Sequence, residues 1–376
     1  MPTVQYHHPP VLEGYLYSNK EARQARDSNR LLALRLETSL LCNLRCEYCY
    51  RESGEPKDNE MTYEELVDIV HQAKDLGARS VVIIGGGEPT VYPRFKELVE
   101  IIHGLGIIPV IITNGQNMDR KLSEFLYKNN ASILLKHDSI TEATQDLMAG
   151  KKGAYKNIET GLKNLMDLGF TKGPTVRLGL SFVLNRLTRE EIPTMWRFCR
   201  DNNIFPNMET MTPSGRAKRH LDWVLPGPEV EEVKAQLLEI DHKEYKLNWN
   251  VHTPLVGAGC RQLEYSMCIT VEGYARPCAA VLIDFVNVRP SVKGSLTLKQ
   301  AMDHPFMKRA RFAELYLQGH CGTCEFKTDE CIGCRGSAYV YGLRSGLEPM
   351  DAIVSQDPFC QKDAKIKGHH GSRCQG

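Results

Sequence analysis

Cysteines dominate the chemistry that this chain of 376 residues can perform, since it contains 13 of them. Cys42, Cys46 and Cys49 share one short loop with the spacing CxxxCxxC, and nine more lie between Cys260 and Cys374. Disulfide frameworks suit small secreted domains, whereas closely spaced thiols in a large chain without an export signal indicate metal binding. The spacing therefore predicts metal sites rather than disulfides.

The CxxxCxxC loop has no fourth cysteine beside it, which limits the kind of metal site it can form. Three thiolates around a four-iron cluster leave one iron open to another ligand, as in catalytic metal sites. The alternative that stays open is zinc with a distant fourth ligand.

With Tyr48 before its last cysteine, this loop resembles the signature CxxxCx(aromatic)C of radical S-adenosylmethionine (radical SAM) enzymes. In that family the open iron binds the amino and carboxylate groups of SAM, and an electron from the cluster cleaves SAM to methionine and a 5′-deoxyadenosyl radical. That radical removes hydrogen from the substrate. The resemblance implies a radical SAM enzyme that uses SAM, a 4Fe–4S cluster on the three cysteines, and reduced flavodoxin or ferredoxin as electron donor.

Further motifs extend the resemblance to SAM binding. The family places a Gly-Gly-Glu stretch at the SAM amino group, where glycines allow close approach and a carboxylate pairs with the ammonium. Many relatives carry an arginine for the SAM carboxylate where this chain has Ala149, so we predict that Lys136 supplies the cation; the alternative is a lysine that reaches solvent. The implied SAM contacts are Tyr48, Gly86, Gly87, Glu88, Asn114, Lys136 and Ser181.

The C-terminal cysteines resemble the SPASM extension of a radical SAM subgroup, although the middle block reads CxxCx6CxxC rather than CxxCx5CxxxC. The resemblance implies two auxiliary 4Fe–4S clusters, making three clusters in all. Two zinc sites are the structural alternative, and Cys268 is alternatively a buried strand residue. Two further cysteines are not implied as ligands: Cys199 is predicted to lie in the core and Cys374 to be incidental. The implied ligand sets are Cys260, Cys268, Cys278 and Cys334 for one cluster, and Cys321, Cys324, Cys331 and Cys360 for the other.

Alternating strand and helix patterns run from Leu31 to Met211, and their order predicts about six βα units. Six units form an open, partial (β/α)6 barrel in an α/β chain, with the chemistry at the C-terminal ends of its strands. A short strand is predicted at Ile269–Val271 in the cysteine-rich, SPASM-type region. The predicted domains are an N-terminal extension (1–30), the radical SAM partial barrel (31–225), a bridging helix and linker (226–258) and the auxiliary cluster domain (259–376).

Charge and hydropathy exclude several classes of partner. The 47 basic and 46 acidic residues leave no net field for nucleic acid or an anionic membrane. No apolar run is long enough to cross a membrane, and the polar N-terminus has no apolar signal segment. We therefore expect a cytoplasmic protein without nucleic-acid or membrane partners.

The sequence predicts a reaction class better than a substrate. Auxiliary clusters suggest that a substrate radical loses an electron, giving net oxidation or a new bond, while a base takes the proton. The base is not identified; Glu209, Arg216 and His220 are weak candidates, and the loop around Arg216 is predicted to be a turn. The first hypothesis is an oxidoreductase of peptide or protein side chains. The second is a dehydrogenase or epimerase of a small polar metabolite such as an aminoglycoside sugar, and the third is a non-catalytic iron–sulfur or zinc scaffold.

Overall fold

The structure is a computed structural model that describes residues 6–173, 175–211, 214–249, 260–327 and 331–360. Its strands are β1 (Ala33–Leu36), β2 (Ser80–Ile83), β3 (Ile108–Thr113), β4 (Ser132–Lys136), β5 (Leu178–Leu184), β6 (Phe205–Thr210), β7 (Ser266–Ile269) and β8 (Ala275–Arg276). The α-helices in these ranges are α1 (Asn19–Asp27), α2 (Tyr63–Asp75), α3 (Phe95–Gly104), α4 (Arg120–Lys128), α5 (Glu142–Ala149), α6 (Ala154–Leu168), α7 (Ile192–Asp201), α8 (Gly227–Ile240), α9 (Gln262–Tyr265), α10 (Leu298–Asp303), α11 (Pro305–Arg311), α12 (Gly319–Thr323), α13 (Arg335–Arg344) and α14 (Pro349–Ala352).

One sheet runs through the described residues in the order β6-β5-β4-β3-β2-β1-β7-β8. The first six strands are parallel and each is followed by a helix, so the predicted partial (β/α)6 barrel is confirmed. β7 joins β1 in parallel and pairs with β8 in antiparallel, which extends the sheet into the cysteine-rich region. The predicted boundary at 258/259 lies outside the described residues, so the domain division stays a prediction.

Local signals place several of the helix ends. Thr62 and Glu65 form a capping box that begins α2, and Asp119 caps α4 by accepting from the Leu122 amide (2.7 Å). The short strand predicted at Ile269–Val271 is wrong in its bounds, because β7 begins at Ser266 where its pairing with β1 starts. The helix α5 was not predicted from the sequence; it buries Gln145, Met148 and Ala149.

The two faces of the sheet bury different parts of the chain. Leu34 and Leu36 of β1 pack with the helices in the larger core. On the opposite face, the N-terminal segment inserts Leu12, Tyr15 and Leu16 against inward-facing strand residues. Leu12, Tyr15 and Leu16 of the predicted N-terminal extension therefore contribute to the core of the barrel. Within the described ranges, no helix is both long and apolar enough to cross a membrane.

Candidate active site

The three-cysteine loop leaves the C-terminal end of β1 and closes on itself through main-chain hydrogen bonds. The Cys42 amide donates to the Gly54 carbonyl (2.9 Å), and the Gly54 amide donates to the Leu40 carbonyl (2.9 Å). Within the loop, the Cys49 amide donates to the Cys46 carbonyl (3.2 Å). The backbone thus fixes the three cysteines on one compact turn, and all three are half-buried.

The thiols of this loop lie near one another. Burial raises the pKa of Cys46 to about 12, and the charges of Asp138, Cys49 and Cys42 add to the rise. Burial likewise raises the pKa of the Cys42 thiol, and the charge of Cys49 contributes. Because only thiolates ligate metals, such thiols ionise at neutral pH when a metal cation compensates their charge. Three clustered soft donors of this kind fit an iron–sulfur cluster.

Glycines after β2 bring a second loop against the cysteine loop. The Gly87 amide donates to the Ser39 carbonyl (2.8 Å). A Cβ at Gly87 would lie 2.0 Å from the Leu41 carbonyl oxygen, so a side chain there would push the two loops apart. Gly86 accepts from the Ser53 hydroxyl, which ties the same two loops a second time. The predicted glycine positions therefore set the distance between the loops.

Glu88 joins the loops that follow β2 and β3. Its Oε1 accepts from the Thr90 amide (3.1 Å), the Thr90 hydroxyl (2.7 Å) and the Thr113 hydroxyl (2.6 Å). Its Oε2 accepts from the Asn114 amide (2.7 Å). Burial raises the pKa of Glu88, and these hydrogen bonds oppose the rise. The Glu88 carboxylate, predicted to bind the SAM amino group, thus also links the two loops. Its Oε2 accepts fewer protein hydrogen bonds than its Oε1.

Asn114 lies beside the first cysteine. Its Nδ2 donates to Asn43 Oδ1 (2.8 Å) and stands 3.9 Å from Cys42 Sγ, while its Oδ1 accepts from the Gln116 amide (3.1 Å). The structure therefore brings this predicted SAM contact to the cysteine loop.

A polar group at the ends of β4 and β5 gathers three more of the predicted SAM contacts. Lys136 Nζ lies 3.3 Å from Asp138 Oδ1, 3.4 Å from Ser181 Oγ, and over the Tyr48 ring at 5.3 Å from its centroid. The Tyr48 hydroxyl donates to Asp138 Oδ2 (2.5 Å), and the Val183 amide donates to Asp138 Oδ1 (3.0 Å). Because only 19% of its side chain is exposed, Lys136 is held inside this group rather than extended into solvent.

The charge of Lys136 reaches the cysteine loop. Burial by itself would lower the pKa of Lys136, but the charges of Asp138 and Glu209 outweigh it and raise that pKa. The same ammonium lowers the pKa of Cys46, against the larger effect of burial. Ala149, at the position where relatives carry arginine, is buried against Cys42 and Cys46. The charge of Lys136 thus acts on the cysteine loop, and its role in place of that arginine stays a prediction.

A loop after β6 holds the cysteine loop from another side, and sequence analysis predicted only a turn there. Gly215 (φ +57°) lies so close to Cys49 that a Cβ would be 2.5 Å from the Cys49 carbonyl oxygen. The Arg216 guanidinium donates to the carbonyls of Cys46 (2.8 Å) and Ser53 (3.1 Å). Thr212 and Pro213 of this loop lie outside the described residues. A Gly-Arg pair in the loop that follows a barrel strand was the available signal for this clamp.

The remaining base candidates differ in what they contact. His220 Nε2 lies 2.8 Å from Glu47 Oε2, and its ring stacks on Trp223 at a centroid distance of 4.1 Å. Glu209 is exposed at the end of β6, where Oε1 accepts from Asn207 Nδ2 (3.2 Å). His220 therefore supports the cysteine loop, whereas Glu209 presents a carboxylate to the mouth of the barrel.

The first C-terminal cysteine set comes together from distant segments. Burial raises the pKa of Cys260 to about 12, and the charges of Cys278 and Cys334 add to it. The pKa of Cys268, on β7, is raised first by burial and then by the charges of Glu37 and Cys278. These four cysteines thus lie within electrostatic reach of one another. Cys268 is at once a buried strand residue and a neighbour of the other thiols.

The second set lies around α12 and α13. Burial raises the pKa of Cys331 to about 11; the Gly333 amide opposes the rise, and the charges of Cys321 and Cys324 add to it. The Arg335 guanidinium donates to Cys321 Sγ (3.5 Å). The structure therefore brings three of the four predicted ligands of this set into one neighbourhood.

Two further cysteines, Cys360 and Cys199, lie in the described residues. Cys360 is half-buried, and its amide donates to the Asp357 carbonyl (3.2 Å). Cys199 is fully buried in α7, so its prediction as core is confirmed, whereas Cys374 lies outside the described residues. Across the described ranges, no three His, Cys, Asp or Glu side chains converge closely enough to hold one metal ion. A four-iron cluster needs a wider spacing, because each thiolate binds a different iron.

Comparison with known proteins identifies the barrel. The family model described as the radical SAM superfamily matches residues 36–199. Those residues belong to the radical SAM superfamily. Sporulation killing factor maturation protein SkfB of Bacillus subtilis is 25% identical over 273 residues, which are 71% of this chain and 64% of SkfB. AdoMet-dependent heme synthase of Oleidesulfovibrio alaskensis is 23% identical over 383 residues, 90% of this chain and 88% of that protein.

Other matches range from part of a curated relative to nearly the whole of a solved chain. The chain spans 39% of Fe-coproporphyrin III synthase of Methanosarcina barkeri, with 30% identity over 165 residues. Among solved structures, Streptococcus suis SuiB bound to its precursor peptide SuiA has a TM-score of 0.68 at 20% identity, with 91% of this chain and 79% of SuiB covered. The anSMEcpe structure with bound AdoMet and the Cp18Cys peptide has a TM-score of 0.63 at 16% identity, with 89% of this chain and 95% of anSMEcpe covered. The radical SAM fold is thus shared well beyond residues 36–199.

Proposed function

We propose that this chain is a radical SAM oxidoreductase that removes hydrogen from a peptide or protein side chain. The observation that carries the proposal is the three-thiol loop, which the glycine loop and Arg216 hold beside Lys136, Tyr48 and Asn114. When bound, the 4Fe–4S cluster and SAM supply a radical that abstracts hydrogen. The chain itself holds and orients these groups and keeps water away from them.

The roles of the SAM-contact residues follow from their charges and contacts. Lys136 is a cation suited to the SAM carboxylate, and the paired Asp138 holds it in place. Glu88 Oε2 has capacity for an ammonium hydrogen bond. The face of Tyr48 is the flat surface nearest Lys136, while Asn114 and Ser181 offer further polar contacts.

We further propose two auxiliary 4Fe–4S clusters, with the ligand sets that the SPASM resemblance implies. The mutual electrostatic effects among Cys260, Cys278 and Cys334, and among Cys321, Cys324 and Cys331, support this division. Such clusters would accept the electron that the substrate radical loses.

A proton must leave the substrate as well as an electron. Arg216 and His220 are engaged with the cysteine loop, which leaves Glu209 as the candidate base. Its exposed carboxylate faces the barrel mouth and has Asn207 as a hydrogen-bond donor. The external electron donor and the cytoplasmic location stay predictions.

Two observations bear on the substrate. SkfB is a maturation protein of a killing factor, and SuiB and anSMEcpe have been crystallised with peptides, which supports a peptide substrate. The heme synthase relative, which aligns with 90% of this chain, favours a small molecule as the second candidate.

The test is anaerobic reconstitution with iron and sulfide, followed by dithionite and SAM. We expect about 12 iron atoms per chain from three four-iron clusters, together with 5′-deoxyadenosine. A pool of synthetic peptides and Fe-coproporphyrin III are then added in parallel. Faster 5′-deoxyadenosine formation with a peptide that loses two hydrogens supports the first candidate, and stimulation by the porphyrin alone supports the second. Absence of 5′-deoxyadenosine under all conditions would overturn both.

A further inference from the structure

Arg35 is a buried arginine whose polar atoms are not all satisfied. It lies in the middle of β1 with 5% of its surface exposed. Its Nε and Nη2 are buried and have no hydrogen-bond partner among the described residues. An unsatisfied buried polar group costs about 1–3 kcal/mol, and more when it is charged. A cation in this setting therefore calls for an anionic neighbour.

The sheet places Arg35 beside the first C-terminal cysteine set. In the parallel pairing of β1 with β7, Arg35 is in register with Cys268. Paired residues of neighbouring strands point to the same face of a sheet, so the guanidinium and this thiol share one face. The charge of Arg35 also acts on Cys260 and Cys278, which come from other segments of the chain. One cation thus lies within reach of three of the four cysteines in the set.

Three other groups lie around Arg35 and Cys268. The Arg35 guanidinium lies 5.0 Å from the centroid of the Tyr15 ring, which is neutral at physiological pH. Glu37, which directly follows β1, is paired with Arg51 (2.8 Å). Arg276, the other register partner of Cys268, also acts on that thiol through its charge, and it donates its Nε to the Ile283 carbonyl (3.0 Å).

We propose that Arg35 is the charge partner of the auxiliary cluster held by Cys260, Cys268, Cys278 and Cys334, and that it raises the reduction potential of that cluster. The inference rests on the proposed function, which supplies the cluster. Four thiolates give such a cluster a net negative charge, and reduction adds one more. A fixed cation in a low-dielectric interior stabilises the reduced form more than the oxidised form. Arg35 would therefore make this cluster a better acceptor for the electron from the substrate.

The test uses protein that carries Cys42→Ala, Cys46→Ala and Cys49→Ala. The midpoint potentials of its clusters are measured by potentiometric titration, followed by electron paramagnetic resonance. That background leaves the auxiliary clusters as the observed centres. We expect Arg35→Met to move one midpoint to lower potential and to leave the other unchanged. Arg35→Lys keeps the charge and should stay close to the parent protein. Arg311→Met is the matched control, because Arg311 is 2% exposed with two unpartnered nitrogens and packs near α1.

Each outcome bears on one proposal. Unchanged midpoints in Arg35→Met, at full iron content, would overturn the role of Arg35 and leave the proposed function standing. An equal shift in Arg311→Met would also overturn it, since the effect would then reflect general loosening. If Arg35→Met fails to fold, Arg35→Gln, which removes the charge but keeps a polar side chain, decides: a lower midpoint supports the proposal, and an unchanged midpoint contradicts it. Parent protein without auxiliary iron would instead refute the cluster complement itself.

Discussion

The three-cysteine loop and the C-terminal cysteine sets hold their thiols in different ways. In the loop, all three thiols come from eight consecutive residues, Cys42–Cys49. Contacts from the loops after β2 and β6, including the Arg216 guanidinium on the Cys46 carbonyl, fix the turn. The first C-terminal set draws its thiols from distant segments, and the second adds Cys360 to three closely spaced cysteines. At both sets an arginine side chain lies beside a thiol, Arg35 at the first and Arg335 at the second.

The difference matches the chemistry expected of each region. A site that must leave one iron open cannot be closed by a fourth side chain, so its geometry has to come from the loops packed around it. A closed electron-transfer cluster has no free iron, and its potential is tuned by nearby charge and burial. Four predictions test this contrast.

The largest effect is expected from Cys46→Ala. It should remove about one third of the iron, the share of one cluster in three, and abolish 5′-deoxyadenosine formation while the auxiliary clusters remain. Iron analysis and chromatography of the SAM products measure this. Cys199→Ala, which removes a thiol from the α7 core, should keep full iron. Loss of all iron in Cys46→Ala would mean that the two regions are not separate cluster sites.

Gly87→Ala tests whether the backbone clamp positions the loop. The new Cβ would collide with the Leu41 carbonyl oxygen, so the cysteine loop must shift. We expect SAM affinity to fall by about 10- to 100-fold, equivalent to about 1.4–3 kcal/mol, measured by equilibrium binding to reconstituted protein. Gly104→Ala is the control, because no atom lies within 4 Å of its Cβ position in α3 and alanine favours the helix. Equal affinity in both variants would refute the clamp.

Lys136→Met asks whether a side-chain charge also matters at the three-cysteine loop. Removing the cation should weaken SAM binding about 10-fold, the value of one charge-assisted hydrogen bond. Lys136→Arg should recover most of the affinity. The surface control is Lys156→Met, since that side chain is 73% exposed and pairs with Glu142 (3.2 Å). Unchanged SAM binding in Lys136→Met would mean that another group binds the SAM carboxylate.

The smallest effect concerns an ion pair between Glu65 of α2, in the barrel, and Arg289 of the C-terminal part of the chain. Although burial alone would raise the pKa of Glu65, hydrogen bonds from Arg289 and Ser291 lower it to about 2 from its ordinary value of 4.5. Glu65→Gln should therefore destabilise the protein by about 1.5 kcal/mol at pH 7. The unfolded chain takes up this proton first, so the contribution is complete above pH 4.5 and declines as the pH falls towards 2.

Urea unfolding of parent and Glu65→Gln protein at pH 7 and pH 4 measures that change. The stability difference should be smaller at pH 4. The neighbouring Glu64→Gln provides the control, since Glu64 is 77% exposed and lies 3.9 Å from Arg94, and its effect should be near zero. A difference that grows at pH 4 would contradict the assigned sign.

The sequence alone determined the barrel and the three-cysteine loop. Apolar strands such as Ser80–Ile83, the capping box at Thr62 and the helix Ala154–Leu168 depend on neighbours close in the chain, so their residues predict them. The same holds for the placement of Cys42, Cys46 and Cys49 on one loop, which follows from their spacing in the chain.

Only the tertiary structure decided which residues meet across the chain. It placed Cys268 in register with Arg35, gave Glu88 its donors from Thr113 and Asn114, and turned Arg216 from a base candidate into a clamp on the cysteine loop. These contacts join residues tens to hundreds of positions apart. The register of the sheet and the packing of loops set them, and no local pattern encodes either.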